Sequence, residues 1–254
     1  MNSSEVVNLE LIQRSSGIRM LFLSFLVMAS IFIQDITMAQ QTKHYFQVEV
    51  KKKVTLESYF LLYLPEGYDS LDQTWPLLLF LHGIGERGTM IELVKKQGPP
   101  KLIEYGRKFP FIVVSPQCPE DSVWSIPVLD MVLTEMVQRY KVDTARIYVT
   151  GLSMGGTATW QLAEAYPRRF AAIVPVCGEA DPAKAYLIKD LPIWVFHGAQ
   201  DDIHPLSESE NMVNELKALG STVKFTIYPE AGHDSWTAAY NDEEMWKWLL
   251  EQRK

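Results

Sequence analysis

The sequence places a serine, an aspartate and a histidine in an order and setting that suit nucleophilic catalysis. Ser153 is the centre of a Gly-Leu-Ser-Met-Gly pentapeptide at 151–155, and Asp201 and His233 follow it along the chain. A serine hydroxyl becomes an effective nucleophile only when a base accepts its proton, and the base needs a carboxylate to orient it. These residues therefore predict acyl transfer, with Ser153 as nucleophile, Asp201 as acid and His233 as base.

The residues alone leave two parts of this prediction open. Asp202 and Asp234 compete with Asp201 for the position of the acid, although both are typical of solvated or loop-bonding carboxylates. The pentapeptide is short, and it also fits a Gly-rich turn whose serine caps a helix.

His233 stands apart from the other four histidines because it lies in a late polar loop, directly after a glycine. His82 and His197 each precede a glycine at the end of an apolar run. We expect each of these two rings to be partly buried and hydrogen-bonded to a neighbouring loop. His44 and His204 have no comparable setting.

The apolar pattern predicts the elements that must position these residues. Continuous apolar runs, typical of strands buried on both faces of a parallel sheet, occur at 77–81, 111–114, 147–149, 171–176 and 193–196, with one more strand at 223–228. Helical spacing of apolar residues occurs at 128–140, 157–165, 207–219 and 237–250, and a half-exposed edge hairpin is predicted from 44–53 and 58–65. The fold class is therefore three-layer α/β, with a mostly parallel sheet of about eight strands flanked by helices.

This order of elements predicts one site at one edge of the sheet. Ligands bind beyond the carboxyl ends of the strands in an open parallel sheet. The Ser153 pentapeptide, the Asp201 loop and the His233 loop each follow a predicted strand. A pentapeptide between a strand and a helix also fits a sharp turn that holds the serine in a strained backbone conformation.

Six motifs in a fixed order then identify a family resemblance. They are Leu-Pro-Glu-Gly-Tyr at 64–68, Leu-His-Gly-Ile-Gly-Glu-Arg-Gly at 81–88, Pro-Gln-Cys-Pro at 116–119, Gly-Leu-Ser-Met-Gly-Gly at 151–156, His-Gly-Ala-Gln-Asp at 197–201 and Gly-His-Asp-Ser-Trp at 232–236. From about residue 59 to residue 250 the chain resembles small secreted esterases of the α/β-hydrolase superfamily. The group is the phospholipase/carboxylesterase or dienelactone-hydrolase-like one, close to feruloyl-esterase and polyhydroxybutyrate-depolymerase relatives.

The resemblance implies the same roles for Ser153, Asp201 and His233, and it favours Asp201 over its neighbour as the acid. It also implies an oxyanion hole formed by the backbone N–H groups of Met154 and Ile84. Ile84 stands between two glycines, unlike the Gly-rich loop of lipases. Neither a metal nor a cofactor is needed for this chemistry.

The resemblance favours a serine carboxylic-ester hydrolase that acts on short-chain, aryl or carbohydrate-linked esters, small or attached to a polymer. Only a short segment separates the strands that end at 176 and begin at 193. We therefore expect no separate cap domain and an open site. Trp124 and Trp236 could stack on a substrate ring, and ordinary packing explains them equally well. Two alternatives remain: a serine peptidase or aminoacyl hydrolase on the same fold, and an inactive binding protein.

Charge and cysteine placement limit the partners and the covalent links. With 24 basic and 31 acidic residues, and a net charge of −7, the chain offers no basic stripe for nucleic acid. Cys118 and Cys177 follow strands that the resembling fold separates by two others, which is too far for a disulfide. We expect two free, partly buried thiols.

The N-terminal residues predict export. Residues 20–33 contain twelve apolar residues in fourteen and follow Arg14 and Arg19, which suits a signal segment that ends near Ala39. Met20 is a possible true start, and a retained membrane anchor is the alternative. The prediction is a signal segment at 1–39 and a single catalytic domain at 40–254. The mature protein would then be secreted or periplasmic, without stable membrane insertion.

Overall fold

The computed structural model describes residues 41–50 and 54–254, so the signal segment predicted at 1–39 lies outside the described residues. The strands are β1 (Thr42–Val50), β2 (Val54–Tyr63), β3 (Trp75–Leu81), β4 (Ile112–Pro116), β5 (Val142–Leu152), β6 (Ala172–Val176), β7 (Trp194–Gly198) and β8 (Lys224–Tyr228). The helices are α1 (Gly98–Glu104), α2 (Ile126–Arg139), α3 (Met154–Ala165), α4 (Leu206–Ala218), α5 (Trp236–Asn241) and α6 (Glu243–Glu251).

All eight strands form one sheet in the order β1-β2-β4-β3-β5-β6-β7-β8. β1 and β2 are an antiparallel hairpin at the edge, and β2 is antiparallel to β4. The remaining neighbours are parallel. The predicted fold class, a mostly parallel sheet flanked by helices, is confirmed.

The sheet is buried on both faces because its central strands carry continuous apolar runs. In β3, Leu79 faces a core that includes residues of α2, α3 and α4. Its neighbour Phe80 faces a second core that includes residues of α1, α5 and α6. Side chains alternate between the two faces of a strand, so an uninterrupted apolar run requires a helical layer on each side.

The C-terminal helical prediction is wrong in one respect. The segment predicted as one helix over 237–250 forms two, α5 and α6, with Asp242 between them. The Asp242 carboxylate accepts a hydrogen bond from the backbone N–H of Glu244. This contact caps α6 and ends the preceding helix, since an N-cap residue adopts a non-helical backbone. The prediction also missed α1, which begins at Gly98-Pro99-Pro100.

Two further features of the described residues concern a cap over the site and membrane-spanning helices. Between β6 and β7 the regular structure is a single 3-10 turn, Pro182–Leu187. No helix in the described part of the chain has the length and apolarity that a membrane crossing would need.

Both cysteines are free, as predicted, and both are fully buried rather than partly buried. Cys118 follows β4 and Cys177 follows β6, with β3 and β5 between those strands in the sheet. Burial raises the pKa of the Cys118 thiol to about 11 and that of Cys177 to about 12. Neither side chain is therefore a ready thiolate at neutral pH.

Candidate active site

Ser153 occupies a sharp turn between β5 and α3. Its backbone has φ 53° and ψ −120°, a strained conformation for a residue other than glycine. The turn requires small neighbours, because a Cβ at Gly151 would lie 2.3 Å from the carbonyl oxygen of Gly155. A Cβ at Gly155 would lie 2.0 Å from the carbonyl oxygen of Leu81. The pentapeptide therefore forms a strained strand-to-helix turn, as predicted.

Hydrogen bonds join Ser153, His233 and Asp201 into one chain. His233 Nε2 lies 2.9 Å from Ser153 Oγ, and His233 Nδ1 lies 2.8 Å from Asp201 Oδ2. Because Nδ1 faces a carboxylate, it carries the imidazole proton, and Nε2 is left to accept the serine proton. The His233 side chain is 19% exposed, so a substrate can reach it.

Asp201 is buried and accepts hydrogen bonds at both oxygens. Oδ1 accepts from the backbone N–H groups of Ile203 and His204, while Oδ2 accepts from His233. Burial alone would raise the pKa of Asp201, but the bonds from His233, His204 and Ile203 outweigh it and hold the pKa below its usual value. The carboxylate is therefore ionised at neutral pH and can stabilise an imidazolium at His233.

The two competing carboxylates lie elsewhere. Asp202 is exposed to solvent. Asp234 is also exposed, and it accepts bonds from the backbone N–H and the hydroxyl of Thr237, which caps the start of α5. Of the three candidate acids, Asp201 is the one that contacts His233.

His82 and His197 are hydrogen-bonded, as expected, but both rings are fully buried rather than partly buried. Only His82 bonds to a neighbouring loop, since His197 bonds to its own loop and to α4. His82 Nδ1 donates to the Gly83 carbonyl at 2.6 Å, and its Nε2 accepts from the backbone N–H of Cys118 at 3.0 Å. Burial lowers the pKa of His82 to about 4, so the ring is neutral.

His197 has a contact that sequence reasoning missed. Its Nε2 lies 2.8 Å from the His204 carbonyl oxygen and 3.2 Å from Asp201 Oδ2, while Nδ1 lies 2.8 Å from Ser209 Oγ. Since Nε2 faces only acceptors, it carries the proton. A second imidazole thus reaches the carboxylate that orients His233. The spacing of four residues between His197 and Asp201 was visible in the sequence, but the direction of the ring was not.

The two expected oxyanion donors both stand at helix starts. Met154 is the first residue of α3, and Ile84 is the first residue of a 3-10 turn, Ile84–Glu86. The N–H groups of a first turn have no acceptor within their own helix. A Cβ at Gly83 would lie 3.6 Å from Ser153 Cβ, so this loop passes directly beside the serine.

Glu86 fixes this loop, and sequence reasoning assigned it no role. One Glu86 carboxylate oxygen accepts a 3.1 Å hydrogen bond from the backbone N–H of Gly83. Gln117 donates to the carbonyl groups of Glu86 and Met90. In a capping box, a glutamate stands three residues after the N-cap residue. Gly83 and Glu86 have this spacing, which could have identified Glu86 in advance.

The two tryptophans proposed for substrate contact differ in setting. Trp124 is buried, and its indole N–H donates to the carbonyl of His82, which fits the packing interpretation. Trp236 is half-buried, with its ring centroid 5.3 Å from that of His233 and the two planes at 89°. Trp236 is therefore the one that borders the candidate site.

One group within the described residues has the spacing of metal ligands. Atoms of Cys177, Asp201 and His233 lie within 4.8 Å of one another. Two of the three already belong to the hydrogen-bonded chain, and the raised pKa of the Cys177 thiol disfavours the thiolate that a metal would need. The donor set does not fit a metal ion.

Comparisons with known proteins agree with this architecture. Residues 123–245 match the family described as "Dienelactone hydrolase family". A solved structure described as a thermostable esterase superposes with a TM-score of 0.72 at 32% identity, covering 83% of this chain and 63% of the other. The resemblance to α/β-hydrolase esterases of the dienelactone-hydrolase group is confirmed.

Two further comparisons are with more distant esterases. A bifunctional acetylxylan esterase/xylanase, XynS20E of Neocallimastix patriciarum, is 26% identical over 56% of this chain, which spans 22% of that relative's length. A ferulic acid esterase structure superposes with a TM-score of 0.60 at 17% identity, covering 83% of this chain and 99% of the other, and it supports the fold alone.

Proposed function

We propose that this protein is a serine carboxylic-ester hydrolase that acts through an acyl-enzyme on Ser153. The observation that carries the proposal is the hydrogen-bonded chain from Ser153 Oγ through His233 to Asp201, with distances of 2.9 and 2.8 Å. The comparisons with esterases support the class of reaction. The serine mechanism and the substrate class are our own inference.

In the proposed mechanism, Ser153 Oγ attacks the ester carbonyl while His233 Nε2 accepts its proton. The backbone N–H groups of Met154 and Ile84 stabilise the negative charge that develops on the carbonyl oxygen. His233 then donates the proton to the leaving alcohol, which leaves an acyl group on Ser153. Water activated by His233 attacks that acyl group and restores the serine.

The surroundings of the site support short-chain, aryl or carbohydrate-linked esters. The regular structure between β6 and β7 is one 3-10 turn of six residues, too short for a separate cap domain, whereas long acyl chains bind best in a covered apolar slot. Ile84 and Ile203 are 59% and 62% exposed, and both belong to loops that contact the hydrogen-bonded chain. They offer apolar contact without enclosing the substrate.

Export is part of the same proposal. The apolar segment at 20–33 and the small residue at Ala39 support a secreted or periplasmic protein. N-terminal sequencing of the mature chain tests this. A chain that retains residues 20–33 would favour the membrane anchor instead.

A substrate panel tests the function. Purified wild type and Ser153→Ala would be compared on p-nitrophenyl acetate, methyl ferulate, acetylated xylotriose and aminoacyl p-nitroanilides. We expect wild type to cleave esters faster than anilides, and Ser153→Ala to lose roughly 10⁶-fold in kcat, as serine hydrolases do without their nucleophile. Faster cleavage of anilides would favour the peptidase alternative. Undiminished activity of Ser153→Ala would show that Ser153 is not the nucleophile.

A further inference from the structure

We propose that a pocket beside His233, between α1 and α5, binds the alcohol part of a carbohydrate ester. The pocket has a volume of about 230 Å³ and is lined by residues along α1 and α5 and by the residues that flank α1. This inference rests on the proposed esterase function and names the substrate class of the same site.

Trp236 connects the pocket to the candidate active site. Its ring packs edge-to-face against the His233 ring at 5.3 Å, and the same residue lines the pocket. The atoms of its indole N–H group are buried, and that group has no hydrogen-bond partner among the described residues. One aromatic side chain is therefore shared between the imidazole and the pocket.

The proposed mechanism fixes which part of the substrate reaches Trp236. A general acid must lie within about 3 Å of the oxygen that it protonates, so the leaving alcohol lies beside His233. The carbonyl oxygen points instead to the N–H groups of Met154 and Ile84. An alcohol moiety longer than one ring would continue past Trp236 and enter the pocket.

The lining of the pocket suits a carbohydrate. Gln97, Lys101 and Asn241 supply amide and ammonium groups, while Trp236 and Tyr105, which is 82% exposed, supply aromatic surface. None of the lining residues is an aspartate or glutamate, so the pocket does not select a cation. Sugar rings present apolar faces together with hydroxyl groups, which match both kinds of wall. The Asn241 amide donates to the Thr237 carbonyl, and its oxygen can accept from a sugar hydroxyl. An aryl alcohol offers fewer hydroxyl groups to this wall.

A double variant, Lys101→Ala with Asn241→Ala, tests the pocket without touching the hydrogen-bonded chain. Lys101 is half-buried and Asn241 is exposed, so the fold should tolerate both changes. The matched control is Asn214→Ala with Lys217→Ala, which removes the same two residue types from the exposed surface of α4. Each protein is measured on acetylated xylotriose and on p-nitrophenyl acetate, whose single-ring alcohol is too short for the pocket.

For the pocket variant we expect about a tenfold lower kcat/KM on acetylated xylotriose, mainly through KM, which corresponds to the loss of one or two hydrogen bonds. Its kcat/KM on p-nitrophenyl acetate should stay within about twofold of wild type. The control variant should match wild type on both esters. The pocket proposal is overturned if the pocket variant cleaves acetylated xylotriose as well as wild type does, or if both esters suffer equally.

Ester hydrolysis and xylotriose binding, measured together, distinguish failure of the pocket proposal from failure of the esterase function. If wild type cleaves p-nitrophenyl acetate but the pocket variant loses nothing on the sugar ester, only the pocket assignment is wrong. If wild type cleaves no ester, the esterase function fails. Calorimetric titration of Ser153→Ala with xylotriose then tests the pocket alone. If Ser153→Ala binds xylotriose and the Lys101 and Asn241 substitutions weaken that binding, the pocket proposal is supported. If xylotriose does not bind, the pocket proposal is rejected.

Discussion

The same dipeptide, His-Gly, stands directly after β3 and at the end of β7, yet the two histidines have different contacts. The His82 ring packs against Trp124 and hydrogen-bonds to the backbone of Gly83 and Cys118, and so holds the shape of the loop that carries Ile84. His197 also contacts a backbone carbonyl, but its Nε2 lies 3.2 Å from the Asp201 carboxylate. Both rings are fully buried. The same dipeptide therefore supports the loop of a proposed oxyanion donor in one case and the carboxylate Asp201 in the other. His197 contacts Asp201, which in turn contacts His233.

Of the variants that compare these two regions, one in the loop after β7 should have the largest effect. Asp201→Asn should lower kcat on p-nitrophenyl acetate by about 10⁴-fold, because an amide no longer holds His233 in the tautomer that accepts the serine proton. Asp202→Asn is the matched control, and its activity should stay near that of wild type because Asp202 is exposed. The reverse pattern would move the acid by one residue.

In the loop after β3, His82 should affect how the stability of the protein depends on pH. Burial lowers the pKa of His82 to about 4 in the folded protein, against about 6.5 when unfolded. The folded state therefore binds fewer protons than the unfolded state in this pH range. The contribution of neutral His82 to the free energy of unfolding is complete above pH 6.5 and is lost as the pH falls toward 4. Between pH 7 and pH 5 the loss is about 2 kcal/mol.

Urea unfolding of wild type and His82→Gln at pH 7 and pH 5 measures this effect. The variant should be less stable at pH 7, and its stability should depend less on pH across that interval. Equal pH dependence in wild type and His82→Gln would show that His82 is not the group responsible.

A smaller effect is expected for the contact between His197 and Asp201. His197→Leu removes the Nε2–H group, which donates to the His204 carbonyl and lies 3.2 Å from Asp201 Oδ2. We expect about a tenfold lower kcat with little change in KM, because both contacts hold the loop that carries Asp201. His197→Gln offers an amide N–H and should recover most of that loss. If both variants lose kcat equally, His197 only packs the loop and does not position Asp201.

The smallest effect concerns the two cysteines, one near each loop. Burial raises the pKa of both thiols, to about 11 for Cys118 and about 12 for Cys177. Native protein should therefore react negligibly with an aromatic disulfide reagent, and the same protein in urea should release two equivalents. Rapid labelling of the native protein, or a mass shift on reduction, would contradict this burial.

Much of this arrangement was predictable because strong local rules produced it. The continuous apolar runs predicted the parallel strands, and the pentapeptide predicted the strained turn at Ser153. The capping contact of Asp242 also follows a local rule, yet the apolar spacing across 237–250 concealed it. The contacts of His197 and Glu86 depend on how loops from separate strands pack together. Periodicity carries no information on that packing, although the spacing of Gly83 and Glu86 offered a hint.

Every step of the proposed mechanism requires Ser153 to be a nucleophile that His233 activates. The test is to treat wild type, Ser153→Ala and His233→Ala with a fluorophosphonate and to locate the adduct by peptide mass spectrometry. We expect one adduct on Ser153 in wild type, none in Ser153→Ala, and labelling slowed by several orders of magnitude in His233→Ala. Absence of label on wild type, or an undiminished label on Ser153→Ala, would contradict the central claim.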